Sequence, residues 1–189
     1  GHQYISDAYI KGVRSFIVED IRAELFPDAT FIKVDDVLKA LQTFAKIHRN
    51  QFEIPIIGIT GSNGKTIVKE WLYQLLSPEY DVCRSPKSYN SQIGVPLSLL
   101  QLEAHHNIGI FEAGISTIHE MDSLEKMIQP TIGIFTNIGP AHDAGFENYE
   151  SKIDEKLKLF KNSSKLIYCA DYELIASRIP KEINKVSWG

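Results

Sequence analysis

Apolar residues alternate along this chain between short continuous runs and longer stretches with helical spacing, and from residue 51 onward the alternation is regular. The short runs predict strands, at 55–59, 82–84, 107–111, 132–136, 165–169 and 185–187. The periodic stretches predict helices, at 65–76, 95–100, 117–128, 149–160 and 172–178. Strands that alternate with helices in this way predict right-handed βαβ units. We therefore expect an α/β fold with a mostly parallel sheet covered on both faces.

The first fifty residues follow a less regular pattern. The predicted elements are a short helix at 5–12, strands at 15–18 and 30–34, and a helix that begins after Asp35 or Asp36. The apolar residues of this last helix form one stripe, made of Val37, Leu38, Leu41, Phe44, Ala45 and Ile47. A polar segment follows, so we place a domain boundary near residue 50, with part of a smaller α/β domain before it.

A glycine-rich turn connects the predicted strand 55–59 to the predicted helix 65–76. It is Thr60-Gly61-Ser62-Asn63-Gly64-Lys65-Thr66, the order that a phosphate-binding loop requires. Glycines let several backbone N–H groups point into one concavity, and the helix adds its positive N-terminal end. Lys65 can reach the outer phosphates of a nucleotide, and the Thr66 hydroxyl can join the shell of a Mg²⁺ ion.

This turn is a variant of the strict Walker A pattern. Ile59 stands where that pattern has its first glycine, and Gly61 takes over the role. The alternative interpretation is a chance Gly-Lys-Thr in a surface turn. The apolar strand before the turn and the helical spacing after it favour the phosphate-binding loop.

Polar residues follow two other predicted strands. Ligands of parallel α/β sheets bind beyond the carboxyl ends of the strands, so one edge should collect the turn, Glu112 and the loop Asn137–Asp143. A carboxylate after a buried strand is costly unless it binds a cation or accepts hydrogen bonds. Glu112 is therefore a candidate Mg²⁺ ligand, with a helix-capping acid as the alternative. His142 is a candidate metal or phosphate contact, with Asp143 as the competing ligand and a structural histidine as the alternative.

Two other polar segments show no distinct chemistry by themselves. Residues 85–96 form a polar loop, and its simplest interpretation is a surface connection. Helix 149–160 carries three lysines, Lys152, Lys156 and Lys158, and Lys161 follows directly after it. They predict a solvated, charged face with an Asp154–Lys158 ion pair.

Composition narrows the classes of function. The 189 residues are 43% hydrophobic and 23% charged, values typical of a folded chain with a sizeable core. A formal net charge of −4 without a basic block argues against nucleic-acid binding. No apolar run has membrane-spanning length and no signal-peptide pattern opens the chain, so we expect a cytoplasmic protein. Cys83 and Cys169 lie far apart in apolar surroundings, which predicts buried free thiols.

Taken together, these segments resemble the Mur ligase family, the ATP-dependent amino-acid-adding enzymes of peptidoglycan synthesis. The motifs that carry the resemblance are 58–66, 112–114, 136–138 with 141–142, 143–146 and 169–171. Within the family, Lys69-Glu70 and the run 90–97 are most similar to the members that add D-alanyl-D-alanine. Residues 1–5, with Ala8 and Gly12, resemble part of the family's nucleotide-sugar domain, whose opening we expect to be missing.

The resemblance implies a ligase that works through an acyl phosphate. ATP would phosphorylate the terminal carboxylate of a UDP-N-acetylmuramoyl-tripeptide, and the amine of D-Ala-D-Ala would attack to give ADP, phosphate and a pentapeptide precursor. Residues 1–50 would be part of the N-terminal nucleotide-sugar-binding domain, and 51–189 the central ATP-binding domain without its C-terminal end. We expect such a fragment to be inactive alone, and some relatives are fused to an alanine racemase.

The resemblance also implies roles for single residues. The turn 60–66 and Asn137 would bind the nucleotide, with Lys65 opposite the γ-phosphate. Thr66 and Glu112 would bind one Mg²⁺ ion and His142 a second, while Asn90 would lie by the sugar-nucleotide substrate. Lys156 matches the family lysine that is carbamylated by CO₂ and contacts the second metal. The expected catalytic residues are therefore Lys65, Lys156 and His142.

The chain departs from the family pattern at two positions. Ile67 stands where relatives usually have a second Thr or Ser, and Lys158 replaces an acid that is common near the carbamylated lysine. Two alternative functions stay open. One is another ligase of the superfamily, of the folylpolyglutamate type, and the other is a P-loop nucleotide-binding module without ligase activity.

Overall fold

The computed structural model describes residues 2–20, 25–139 and 145–189. The chain forms two compact units, residues 1–41 and 42–189. This division lies within the long helix α2 (Val37–Arg49), earlier than the predicted boundary near residue 50. The assignment of the first unit to a nucleotide-sugar domain stays a prediction.

The first unit is small. A 3₁₀ turn (His2–Tyr4) leads into α1 (Ile5–Ile10), and β1 (Ser15–Val18) pairs in parallel with β2 (Thr30–Lys33). Its core consists of Ile5, Val18 and Phe26, with partly buried aromatic rings packed against them. The strands predicted in this region are confirmed.

Helix α2 buries only part of its predicted stripe. Asp36 accepts a hydrogen bond from the backbone N–H of Lys39 at 2.9 Å, so of the two predicted caps it is Asp36 that contacts the helix. Ala45 is fully buried, but Phe44 and Ile47 are each 59% exposed. The buried side follows positions 45 and 49 instead. The Arg49 side chain donates from there to the carbonyl of Ile128 at the end of another helix.

The second unit is built on one six-stranded sheet. Its strands are β3 (Ile56–Thr60), β4 (Val82–Arg84), β5 (Ile108–Glu112), β6 (Ile132–Phe135), β7 (Lys165–Cys169) and β8 (Asn184–Trp188). Their order is β4-β5-β3-β6-β7-β8, and every neighbouring pair is parallel. The predicted α/β class with a mostly parallel sheet is confirmed.

The helices of this unit lie between the strands along the chain. They are α3 (Lys65–Leu76), α4 (Gly94–Leu99), α5 (Glu120–Ile128), α6 (Tyr149–Leu157) with a 3₁₀ turn (Lys158–Phe160), and α7 (Glu173–Arg178). Helix α5 begins three residues later than predicted because the Glu120 carboxylate accepts the N–H groups of Ser116 and Thr117, which hold a turn there. The predicted helix 149–160 ends at Leu157 and tightens into the 3₁₀ turn.

Two apolar clusters cover the two faces of the sheet. The larger joins buried apolar residues of α4, α5 and the 3₁₀ turn, such as Phe160, to Phe111 of β5 and Phe135 of β6. The smaller contains Ile57, Ile59, Ile110 and Ile134, on which α3 packs through partly buried side chains. Both clusters converge on β3, which is buried at all five positions. This strand therefore forms the centre of the unit and fixes where the loop that follows it must lie.

Two smaller expectations can be compared with the structure. Cys83 and Cys169 are both free and buried, as predicted, and burial raises the pKa of the Cys83 thiol to about 11. Within the described ranges, no helix has the length and apolar character needed to cross a membrane.

Glycines inside the central strands allow a close approach between layers. Gly58 of β3 and Gly133 of β6 are register partners. A Cβ atom at Gly133 would lie 2.4 Å from Cδ1 of Phe160, and one at Gly58 would lie 2.8 Å from Cβ of Pro130. The backbone of these strands is thus in direct contact with the 3₁₀ turn and with Pro130, two residues before β6.

This contact predicts that Gly133→Ala is destabilising. The added methyl must displace the Phe160 ring from a close-packed site, which costs about 1–3 kcal/mol of the free energy of unfolding. Urea unfolding of the full chain measures it. Gly139→Ala is the matched control, since the atom nearest to the added methyl among the described residues, Nδ2 of Asn63, would lie at 3.7 Å. Equal effects of the two substitutions would contradict the close contact.

Candidate functional site

The glycine-rich turn lies at the carboxyl end of β3 and leads directly into α3. Gly64 has φ of +79° and Gly61 has φ of +144°, values that favour glycine. A Cβ atom on Gly61 would lie 2.0 Å from Oγ1 of Thr136, so this position also excludes any larger residue. Among the described residues, no side chain caps the N-terminus of α3 at Gly64. An anion can therefore approach the free N–H groups of its first turn.

The turn is fastened to the segment that follows β6. Asn137 accepts two hydrogen bonds from it, from the N–H of Ser62 to its carbonyl at 3.0 Å and from the N–H of Asn63 to its Oδ1 at 2.9 Å. The hydroxyl of Thr136 donates to the carbonyl of Asn63 at 2.6 Å. Asn137 thus supports the turn in this structure, while the nucleotide contact implied for it stays a prediction.

Thr60 holds the end of the sheet together. The residue is fully buried, and its hydroxyl donates to the carbonyl of Ala113 at 2.8 Å, just beyond β5. This bond orients the last residue of β3 relative to the neighbouring strand. In this structure the Thr60 side chain supports the turn from below, at the end of the sheet.

Lys65 folds back over the turn. Its Nζ donates to the carbonyl of Gly61 at 2.8 Å and to that of Ser62 at 3.2 Å. Burial lowers the pKa of this lysine, and the charge of Lys152 acts in the same direction, while Glu112 opposes them. The ammonium group is therefore held above the concavity by carbonyl oxygens.

Glu112 ends β5 as a fully buried carboxylate. Its Oε2 accepts the hydroxyl of Thr66 at 3.1 Å and the amide of Asn90 at 3.5 Å. Its Oε1 lies 3.0 Å from Nζ of Lys69 as an ion pair, and among the described residues it accepts no directed hydrogen bond. Thr66, Glu112 and Asn90, which lie far apart in the sequence, are therefore in contact.

This cluster can be compared with the needs of Mg²⁺. Across the described ranges, no group of three or more His, Cys, Asp or Glu side chains could hold a metal ion. Mg²⁺ is usually bound by only one or two carboxylates together with phosphate oxygens and water. The Thr66 hydroxyl and the Glu112 carboxylate beside a phosphate-binding turn are the donor types that such an ion requires. His142 and Asp143, the other predicted metal contacts, lie outside the described residues.

Two lysines of α6 reach this edge of the sheet, one at the turn and one at the segment after β6. Lys152 and Lys156 are only 1% and 2% exposed, so the predicted solvated face is wrong for both. Nζ of Lys156 donates to the carbonyl of Gly61 at 3.3 Å, and Nζ of Lys152 to that of Gly139 at 2.6 Å. Burial, followed by repulsion from Lys65 and Lys152, lowers the pKa of Lys156 to about 7.

The predicted Asp154–Lys158 pair is also wrong. Lys158 pairs with Glu155 at 2.7 Å and with Asp122 of α5 at 3.2 Å. Asp154 pairs with Arg178 of α7 instead. The i,i+4 spacing of Lys152 and Lys156 placed them on one face, but only packing decided that this face is the buried one.

The sequence missed three residues of the site, Lys69, Ser85 and Ser88. Lys69 is completely buried beneath Glu112. The hydroxyl of Ser85 accepts the N–H of Glu112 at 3.2 Å, and that of Ser88 lies 3.1 Å from the hydroxyl of Thr66. The interpretation of residues 85–96 as a surface connection is therefore wrong for this part of the loop. The position of this loop directly after β4 could have indicated its role, because the carboxyl end of β4 lies at the same edge of the sheet.

The fold and this edge together define a class of protein. Residues 59–189 match the model of the Mur ligase middle domain, and the chain belongs to this family. A curated relative from Bacillus subtilis, UDP-N-acetylmuramoyl-tripeptide–D-alanyl-D-alanine ligase, is 32% identical over 178 residues, which are 93% of this chain and 39% of the relative.

Solved structures agree with this assignment. The MurF ligase of Thermotoga maritima in complex with ADP superposes with a TM-score of 0.84 at 26% identity, covering 98% of this chain and 44% of that one. A folylpolyglutamate synthase of Mycobacterium tuberculosis superposes with a TM-score of 0.61 at 11% identity, covering 79% of this chain and 46% of that one, and shares the fold alone. The chain thus spans less than half the length of each of these proteins.

The lowered pKa of Lys156 predicts a pH dependence of stability. Between about pH 7 and the ordinary lysine value of 10.5, the unfolded chain binds a proton that the folded chain does not. This group therefore makes the folded state more stable as the pH rises through that window. Below the window it does not change the free energy of unfolding with pH. Urea unfolding at about pH 7 and about pH 9 should show Lys156→Met losing stability relative to the parent at the higher pH.

The exposed Lys126 of α5 provides the matched control for that experiment. Lys126→Met should change the free energy of unfolding equally at both pH values. A pH-independent difference between Lys156→Met and the parent would show that Lys156 stays charged in the folded chain.

Proposed function

We propose that this chain forms the ATP-binding part of a ligase that joins D-alanyl-D-alanine to a UDP-N-acetylmuramoyl-tripeptide. The observation that carries the proposal is the convergence of Lys65, Lys156 and the Thr66–Glu112 pair around one phosphate-binding turn. The relative from B. subtilis bears this activity in its name, and the T. maritima neighbour was solved with ADP. Both support the proposal, which concerns the whole protein and therefore more than these residues.

The residues of the turn would bind the triphosphate. The N–H groups at the start of α3 and the ammonium of Lys65 supply positive charge where the γ-phosphoryl group carries negative charge. Phosphoryl transfer depends mostly on positioning and on electrostatic stabilisation. The bonds from Asn137 and Thr136 hold the turn in place before any ligand arrives. Such preorganisation lowers the cost of binding.

Thr66 and Glu112 would hold a Mg²⁺ ion. Bound there, the ion would supply charge neutralisation for the phosphate oxygens. Glu112 is fixed by Thr66 on one side and by Lys69 on the other, so its carboxylate does not have to reorganise. His142 would contact a second ion, and Asn90 would contact the sugar-nucleotide substrate.

Lys156 would act as a carbamate. A lysine whose pKa is about 7 is partly neutral at physiological pH, so its nitrogen lone pair can attack the carbon of CO₂ and release a proton. The product is an anion in a place where Lys65 and Lys152 already supply positive charge. The carbamate would neutralise this charge and could share in the coordination of the second metal.

The reaction itself tests the proposed function. The complete protein is incubated with ATP, Mg²⁺, a UDP-N-acetylmuramoyl-tripeptide and D-Ala-D-Ala, and mass spectrometry follows the nucleotide and peptide products. We expect ADP, phosphate and a UDP-linked pentapeptide, each dependent on all the substrates. ATP binding without any pentapeptide would favour a nucleotide-binding module, and product formed with a folate and glutamate would favour the folylpolyglutamate type.

The position of Lys65 predicts weaker nucleotide binding in Lys65→Ala. A hydrogen bond to a charged group contributes about 1.5–3 kcal/mol, so the affinity for ATP should fall by about tenfold or more. Isothermal titration calorimetry of the complete protein measures this change. Lys126→Ala removes an exposed lysine from α5 and should leave the affinity unchanged. An affinity of Lys65→Ala within about twofold of the parent would refute the assigned role.

A further inference from the structure

Lys69 is a lysine without any exposed surface, and the proposed reaction does not use it. It lies in the second turn of α3, one helical turn beyond Lys65. Burying an ammonium group is costly unless several oxygen atoms replace its water. The oxygen atoms that contact its Nζ should therefore indicate what this residue does.

Four oxygen atoms surround Nζ of Lys69, and three elements provide them. The carbonyl of Ser85 lies at 2.7 Å, and the carbonyl of Lys87 also accepts a hydrogen bond. The carboxylates of Glu112 and Glu70 lie at 3.0 and 3.1 Å. One ammonium group thus joins α3, the end of β5 and the loop that follows β4.

The loop 85–90 is attached to Lys69 through two backbone carbonyls. Lys87 has φ of +49°, an unfavourable backbone conformation for a residue with a Cβ atom. Such a conformation persists where surrounding contacts enforce it, and its own carbonyl is held by Lys69. The same loop places Ser88 against Thr66 and Asn90 against Glu112.

We propose that Lys69 is a positioning residue that holds the loop 85–90 and the Glu112 carboxylate together as one unit beside the nucleotide site. It would act through Ser88, Asn90 and Glu112. The turn 60–66 has its own attachment to Thr136 and Asn137, so it does not depend on Lys69. Loss of Lys69 should therefore release the loop selectively. The part of this inference that concerns substrate rests on the proposed function.

Hydrogen–deuterium exchange of the full chain tests the release of the loop. In Lys69→Met, the hydrogen-bonded amides of Tyr89, Asn90, Glu112 and Gly114 should exchange about tenfold faster or more, which corresponds to about 1.4 kcal/mol. Amides of β6 should keep the parent's rate. Lys126→Met is the matched control, because it makes the same substitution at an exposed lysine of α5. It should change exchange in the loop by less than about twofold.

A second pair of variants covers the case in which Lys69→Met leaves an unpaired buried carboxylate and does not fold. Lys69→Met combined with Glu112→Gln removes both charges, and Glu112→Gln alone keeps Lys69. The loop should exchange rapidly in the double variant and slowly in the single one. A loop equally protected in both, or exchange that rises equally in β6, would overturn the proposal.

Kinetics of the complete protein add a readout that general destabilisation would not give. Lys69→Met should raise KM for the UDP-linked substrate by about tenfold, while the dissociation constant of ATP, titrated without Mg²⁺ so that Glu112 takes no part, stays within about twofold. A parallel loss of ATP affinity would overturn the proposed selectivity. If the parent shows no ligase activity, the proposed function fails, while the exchange experiment still decides the role of Lys69.

Discussion

The burial of charge at one edge of the sheet is the constraint on which the site depends. Lys65, Lys152 and Lys156 direct their ammonium groups at carbonyl oxygens of the turn and of the segment after β6. Their mutual repulsion contributes to the lowered pKa values of Lys65 and Lys156. A site of this kind is electrostatically prepared for a polyanion, because a bound phosphate would replace carbonyl dipoles with full negative charge.

In the described part of the chain, the negative charge of the site is compensated by a lysine, and not by backbone groups. Glu112 is the buried carboxylate at the end of β5, and Lys69 compensates it from below. Lys69 also contacts Glu70, which pairs with Arg84 at 3.1 Å. The charges therefore alternate in sign from Arg84 at the partly exposed end of β4 to the interior. Breaking one link of such a network leaves an uncompensated charge in a buried place, which costs far more than removing a matched pair.

Close packing in the sheet makes this arrangement geometrically possible. Gly58 and Gly133 let the 3₁₀ turn after α6 and Pro130 lie directly on the strand backbones. The 3₁₀ turn is continuous with α6, so its packing against the sheet also determines the positions of Lys152 and Lys156. Small residues in the strands are in this way linked to the position of charged groups at the edge of the sheet.

The sequence by itself determined the fold class, the helix 65–76 and the phosphate-binding turn. Hydrophobic periodicity and glycine placement are local signals, because they depend on the backbone preferences of residues that are close in the sequence. It also singled out Glu112, because a carboxylate after a buried strand is conspicuous without any knowledge of its partners.

Only the tertiary structure decided which polar residues are buried. The sequence predicted a solvent-exposed face for the lysines of α6. The residues next to Lys69 in the sequence do not distinguish it from an ordinary helix lysine. Their burial depends on contacts between residues far apart in the chain, from Gly61 to Lys156 and from Lys69 to Ser85, and local spacing carries no information about such contacts.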